Sequence, residues 1–157
     1  PASAVCIDQI IDLVDFISIG TNDLIQYVLA VARTNENVAH LYQPFHPAIM
    51  RLLKDIFRAA NNSNKTVSIC GELGGNPMAT MLLLGLGKVN ELSMDPHSIP
   101  KVKKVIRGVS LPDAKAFAEH VMTLSSTKDI NHYITMEMRK RFPSDFNRNQ
   151  TFEEKSN

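Results

Sequence analysis

Asn22, Asp23, Arg33 and Cys70 are the side chains of this 157-residue chain whose types and settings could do chemistry. Asn22 and Asp23 follow Gly20-Thr21, directly after the apolar run Phe16-Ile17-Ser18-Ile19. A strand that stops at Gly20 and turns into a helix aims unpaired N–H groups and the positive end of a helix dipole at the space before it. That is an anion site in outline, although the dipole contributes only about 0.3–1 kcal/mol. The Asp23 carboxylate adds a hard oxygen ligand of the kind Mg²⁺ takes beside substrate phosphate oxygens. On these residues alone, plain helix capping by Thr21, Asn22 and Asp23 is the commoner reading. Cys70 ends a second apolar run, Thr66 to Ile69, and precedes Gly71-Glu72, so its thiol can face a cleft and act as a general acid. It also fits a buried structural cysteine. Arg33 lies in a polar loop, where it can clamp phosphate or carboxylate in bidentate fashion or stand solvated at the surface. Glu72 reads as either a first-turn carboxylate or a site residue. His40, His46, His97, His120 and His132 have no metal-ligand spacing and read as structural or surface residues.

These groups need elements to position them, and the apolar pattern supplies a strand–helix alternation. Val5, Ile7, Ile10, Ile11 and Val14 predict a helix over residues 3–14. Strands are expected at 16–19, 66–69 and 91–94. The helix after the first strand should bury a face of Leu24, Tyr27, Val28 and Val31. Ile49, Leu52, Leu53, Ile56, Phe57 and Ala60, opened by Pro47, form the clearest helical stripe. Further helices are expected from Pro77 to Leu84, from about Pro100 through Ile106 to Gly108, over 112–124 and over 128–142. Residues 143–157 are polar and read as a disordered or loosely attached tail. Short buried strands separated by helices imply an α/β fold with parallel strands, and function then sits at their carboxyl ends. The third such end carries Met94 and Asp95. Spacing alone leaves a doubly wound sheet and part of a (β/α)8 barrel both open, since a full barrel needs about 250 residues.

Composition narrows the classes. Hydrophobic residues make up 44% and charged residues 21%, and the formal net charge is +1. That balance fits a globular domain and gives no electrostatic case for nucleic acid or an anionic membrane. No apolar run is long enough to span a bilayer, and no secretory leader opens the chain. The cysteines Cys6 and Cys70 are far apart, so a cytoplasmic location with free thiols is expected. Pro1 in place of Met leads to the expectation that the sequence begins inside a longer protein.

Together the segments carry more information than any one of them. Ser18-Ile19-Gly20-Thr21-Asn22-Asp23-Leu24-Ile25-Gln26-Tyr27, His40-Leu41-Tyr42-Gln43-Pro44, Cys70-Gly71-Glu72-Leu73, Leu92-Ser93-Met94 and Ile99-Pro100-Lys101-Val102-Lys103-Lys104 closely resemble signatures of the enzyme I family. These are the phosphoenolpyruvate–protein phosphotransferases of the bacterial phosphotransferase system. Phe45-His46-Pro47 and Val67-Ser68-Ile69-Cys70 look closer to the nitrogen branch than to the sugar-transport branch. The resemblance implies that residues 1–142 are the last three β/α units, with C-terminal helices, of a phosphoenolpyruvate-binding (β/α)8 TIM barrel. It implies a homodimer and Mg²⁺ as cofactor. It also implies transfer of the phosphoryl group to a histidine on another domain, and from there to a small phosphocarrier protein. By position, Asn22 and Asp23 match substrate-binding residues, with Asp23 also the metal ligand. Arg33 matches a substrate arginine, and Cys70 the proton donor to pyruvate enolate.

The departures are Ala32, where the family has an acid, Gly74-Gly75-Asn76 in place of Ala-Gly-Asp, and Asp95 in place of a small polar residue. The family's second metal carboxylate and remaining arginines are expected upstream of Pro1, so the isolated chain is expected to be inactive. The other readings are a non-catalytic dimerisation module, or a piece of a phosphoenolpyruvate synthase or pyruvate phosphate dikinase.

Overall fold

A computed structural model describes residues 1–146. Three parallel strands, β1 (Phe16–Gly20), β2 (Thr66–Cys70) and β3 (Glu91–Leu92), form one sheet in the order β1-β2-β3. The parallel α/β arrangement expected from the apolar runs is present. Phe16 stands opposite Thr66 and Gly20 opposite Cys70, so the two longer strands end level.

Alternation along the strands sorts the side chains. Ile19, Val67 and Ile69 are buried and Ile17 packs on the core, while Phe16, Ser18, Gly20, Thr66, Ser68 and Cys70 fall on the opposite face. Helices lie on the side of the first face: α3 (Thr21–Leu29) and α4 (Pro47–Asn62) pack on β1 and β2, and α5 (Pro77–Leu86), α6 (Ile99–Gly108), α7 (Leu111–Thr123) and α8 (Thr127–Arg141) join them in helix–helix contacts. Ile49, Leu53, Ile56 and Phe57 of α4 join Met81, Leu82 and Leu83 of α5, Phe117 and Val121 of α7, and Ile130 and Ile134 of α8 in one buried cluster. Local chemistry marks several helix starts. Asn76 Oδ1 accepts the Met78 N–H at 2.9 Å, Ser110 Oγ the Asp113 N–H at 3.2 Å, and Ser126 Oγ the Asp129 N–H at 3.1 Å, each satisfying a donor that the first turn leaves unpaired. No helix among the described residues is long and apolar enough to cross a membrane.

Four expectations change. The first helix is broken: α1 (Ala2–Val5) and α2 (Ile7–Ile10) meet at Cys6, whose ψ of 24° leaves the helical range, and a 3-10 turn follows at Ile11–Leu13. Tyr27 does not face the core but is 72% exposed. It lies with Phe16, 64% exposed, along the uncovered side of β1. β3 is shorter than residues 91–94: it covers Glu91–Leu92, one further bond ties Ser93 N–H to Ile69 O at 2.8 Å, and the chain then turns at Asp95. Finally, Pro143–Phe146 form a helical turn, α9, where a loose tail was expected. Lys104 Nζ on α6 bonds Asp145 Oδ2 at 2.6 Å and holds that carboxyl below its usual range, while Phe146 sets its ring edge-on to Phe142. The rest of that tail, 147–157, lies outside the described residues.

Candidate active site

The level ends of β1 and β2 bring three distant segments together. Gly20, the last residue of β1, stands opposite Cys70, the last of β2. A Cβ at Gly20 would meet nothing within 4 Å, so the space beside the cysteine stays open. The chain leaves β2 through Gly71 at φ +96°, where a Cβ would lie 2.7 Å from Thr21 Oγ1, so both the backbone and the contact require glycine.

Thr21 and Asn22 do not cap their own helix. The first residues of α3 have no side-chain cap; Thr21, 1% exposed, instead donates its hydroxyl to Cys70 O at 2.9 Å. Asn22 Oδ1 accepts the N–H of Glu72 at 3.1 Å. Two side chains that sequence alone could assign to a cap therefore lock the ends of the two strands to each other. Asp23, in the first turn of α3, lines an open cavity of about 470 Å³ with Ser18, Gly20, Leu24 and Tyr27. Among the described residues Asp23 enters no ion pair, which leaves its carboxylate oxygens available to a cation. No three His, Cys, Asp or Glu side chains among the described residues converge as a metal cluster. The donor set therefore fits a hard ion held by one carboxylate and ligand oxygens, not a closed protein cage.

Arg33 is returned to the site by a turn. Ala30 adopts a left-handed conformation, φ 53°, at the end of α3, and Val31 N–H closes on Gln26 O at 2.9 Å. The Arg33 N–H then bonds Gln26 Oε1 at 3.1 Å, and the guanidinium pairs with the carboxylate of Glu72. Glu72, undecided from sequence, is thus the partner of Arg33.

Tyr42 is the residue that sequence reasoning missed. Burial raises its phenol above the usual 10.0, Glu72 and Asp23 push it the same way, and Arg33 opposes them. It therefore borders the same charges. The signal was its place in the His40–Pro44 segment, but a tyrosine there announces no chemistry by itself. The Cys70 sulfur contacts Ile19 O at 3.5 Å and Ser18 Oγ at 3.7 Å. At the third strand end, Asp95 turns inward on its own loop. It accepts from Ser98 Oγ at 2.6 Å and from the N–H of His97 at 2.9 Å, and the Ser98 hydroxyl above all lowers its carboxyl below the usual range. Asp95 is therefore a turn-forming residue that stays out of the cluster. His46 caps α4 by accepting the Ala48 N–H at 3.2 Å, a structural role of the kind expected of it.

Residues 1–111 match the family model described as PEP-utilising enzyme, PEP-binding domain, where PEP is phosphoenolpyruvate. Among curated relatives, the phosphoenolpyruvate-protein phosphotransferase of Buchnera aphidicola subsp. Acyrthosiphon pisum is 45% identical over 130 residues, 83% of this chain and 23% of that protein. The proteins of the same name from Haemophilus influenzae and Bacillus subtilis are 44% and 43% identical over 134 residues, 85% of this chain and 23% of each. The chain thus spans about a quarter of the length of the relatives it matches. With a parallel sheet whose strand ends gather Asn22, Asp23, Arg33 and Cys70, and with a family match over most of its length, this chain belongs to the PEP-binding domain family of PEP-utilising enzymes.

Proposed function

We propose that this chain is part of a phosphoenolpyruvate–protein phosphotransferase and forms one side of its substrate site. The observation that carries the proposal is the convergence of Asn22, Arg33 and Cys70 on the β1 and β2 ends through Glu72 and Thr21. In this reading Arg33 and the amides around Asn22 hold the phosphate of phosphoenolpyruvate by charge and hydrogen bonding. Asp23 would hold Mg²⁺ together with substrate oxygens, with a second carboxylate coming from elsewhere in the protein; the ion would neutralise phosphate charge. The phosphoryl group passes to a histidine on another domain and then to a small phosphocarrier. The Cys70 thiol delivers a proton to the carbon of the enolate left behind.

The uncovered sheet face supports a larger setting. Phe16 and Tyr27 are exposed beside β1, a strand with one free edge among the described residues. An exposed apolar strand edge invites pairing with further strands, and the rest of a (β/α)8 barrel would cover it. A cytoplasmic homodimer of the sugar or nitrogen branch completes the reading, in keeping with the free cysteines.

The test is Cys70→Ala in the full-length protein with phosphoenolpyruvate and Mg²⁺. Substrate binding should persist while turnover falls by about 10²-fold or more, the usual range for loss of a general acid. Unchanged turnover would remove Cys70 from the mechanism.

A further inference from the structure

We infer that Glu72 is a positioning residue for Arg33: it holds one corner of the guanidinium so that the opposite edge offers two N–H donors to the substrate phosphate. The inference rests on the reading of Arg33 as a phosphate-binding residue and names the group that aims it. Helix α3 supplies the frame. Asn22 and Gln26 stand four residues apart, one turn along the same side of that helix. Asn22 Oδ1 accepts the Glu72 N–H at 3.1 Å, and Gln26 Oε1 accepts the Arg33 N–H at 3.1 Å. The two members of the ion pair, distant in sequence, are thus tied by their backbones to successive turns of one helix. Glu72 is fixed further by its neighbours. Gly71 before it has φ +96° and leaves no room for a side chain against Thr21 and Asn22, and Leu73 after it is buried. The carboxylate is exposed, but the backbone that carries it is not free to drift.

The form of the contact decides what the pairing does. Arg33 reaches Glu72 through Nη1 alone, and only Oε1 of the carboxylate accepts. Among the described residues, Nε and Nη2 of Arg33 bond to no protein atom. A guanidinium takes an oxyanion best through two parallel N–H bonds from one edge, and Nε with Nη2 forms such an edge. A carboxylate seated on that edge would compete with phosphate. A carboxylate on the far corner leaves the edge open and restrains a long side chain that otherwise loses rotamer freedom when substrate binds.

The experiment uses the full-length protein with Mg²⁺. KM for phosphoenolpyruvate and kcat are measured in histidine phosphorylation, with inorganic phosphate as a competing inhibitor. Glu72→Ala should raise KM and the phosphate inhibition constant together, by about three- to tenfold, a hydrogen bond to a charged group weakened by solvent screening. The same variant should change kcat less than about twofold. Glu72→Gln, which keeps an oxygen to accept from Nη1, should recover most of the affinity. An unchanged KM in Glu72→Ala overturns the inference. So does a KM that falls, since Glu72 would then be competing with the phosphate, and so does a Glu72→Gln protein as weak as Glu72→Ala. Arg33→Lys, which lacks the two-donor edge, keeps the two readings apart. A raised KM in Arg33→Lys beside a normal Glu72→Ala sinks the Glu72 role alone, whereas an unchanged KM in Arg33→Lys removes Arg33 from the phosphate site and the underlying reading with it.

Discussion

Glu72 donates its backbone N–H to Asn22 Oδ1 at 3.1 Å while its carboxylate takes the guanidinium of Arg33. One residue after β2 thus fastens both the start of α3 and the loop beyond it. The two attachments differ in kind. The Asn22 bond orders backbone next to the N-terminal amides of α3. The ion pair joins side chains that are 39% and 66% exposed, where solvent screens the attraction.

These two contacts should separate in a stability measurement. Asn22→Ala should cost about 0.5–1.5 kcal/mol, the net worth of a hydrogen bond. Glu72→Ala, which keeps the N–H donor, should cost about 0.2–1 kcal/mol, the range for an exposed pair. Denaturant midpoints of the two variants check the order; a larger loss in Glu72→Ala would show that the ion pair, not the backbone bond, holds the loop.

Gly85 marks the closest approach of α5 and α7. A Cβ there would collide with the backbone carbonyl of Ala114 and lie 2.7 Å from the Ala118 Cβ. Helical propensity alone would make Gly85→Ala stabilising. Overpacking against backbone dominates instead, so a loss of about 1–3 kcal/mol is expected. A thermal or denaturant melt of Gly85→Ala decides the sign.

Tyr42 should make stability fall on the alkaline side. Its folded-state pKa is raised above the usual 10.0, chiefly by burial and then by Glu72. A raised pKa means the folded state holds the proton more firmly than the unfolded one. Stability from this group is then complete below 10.0 and is lost as pH rises through the folded value. Melts of wild type and Tyr42→Phe across that window should converge in slope below it, with the variant losing less above it. Parallel curves throughout would place Tyr42 outside the charged cluster.

The chain's own residue order determined much of this protein. Alternating apolar runs set the three parallel strands, the stripe from Ile49 to Ala60 set α4, and prolines and serines set where several helices begin. Those are local effects, carried by periodicity and by first-turn hydrogen bonding, and they are visible in a linear string. The signature segments likewise exposed the family. Tertiary structure alone decided what the site side chains bond to. Thr21 and Asn22 offered cap chemistry, yet Cys70 O and the Glu72 N–H, about 50 residues away in sequence, take their side chains. Arg33 found Glu72 across 39 residues, and Tyr42 joined them without any local mark. Tyr27 carried a core-facing pattern yet lies open, because no described element packs against that side of β1. Helical spacing records which residues share a face, but only the packed fold determines which faces are covered and which strand ends stand level.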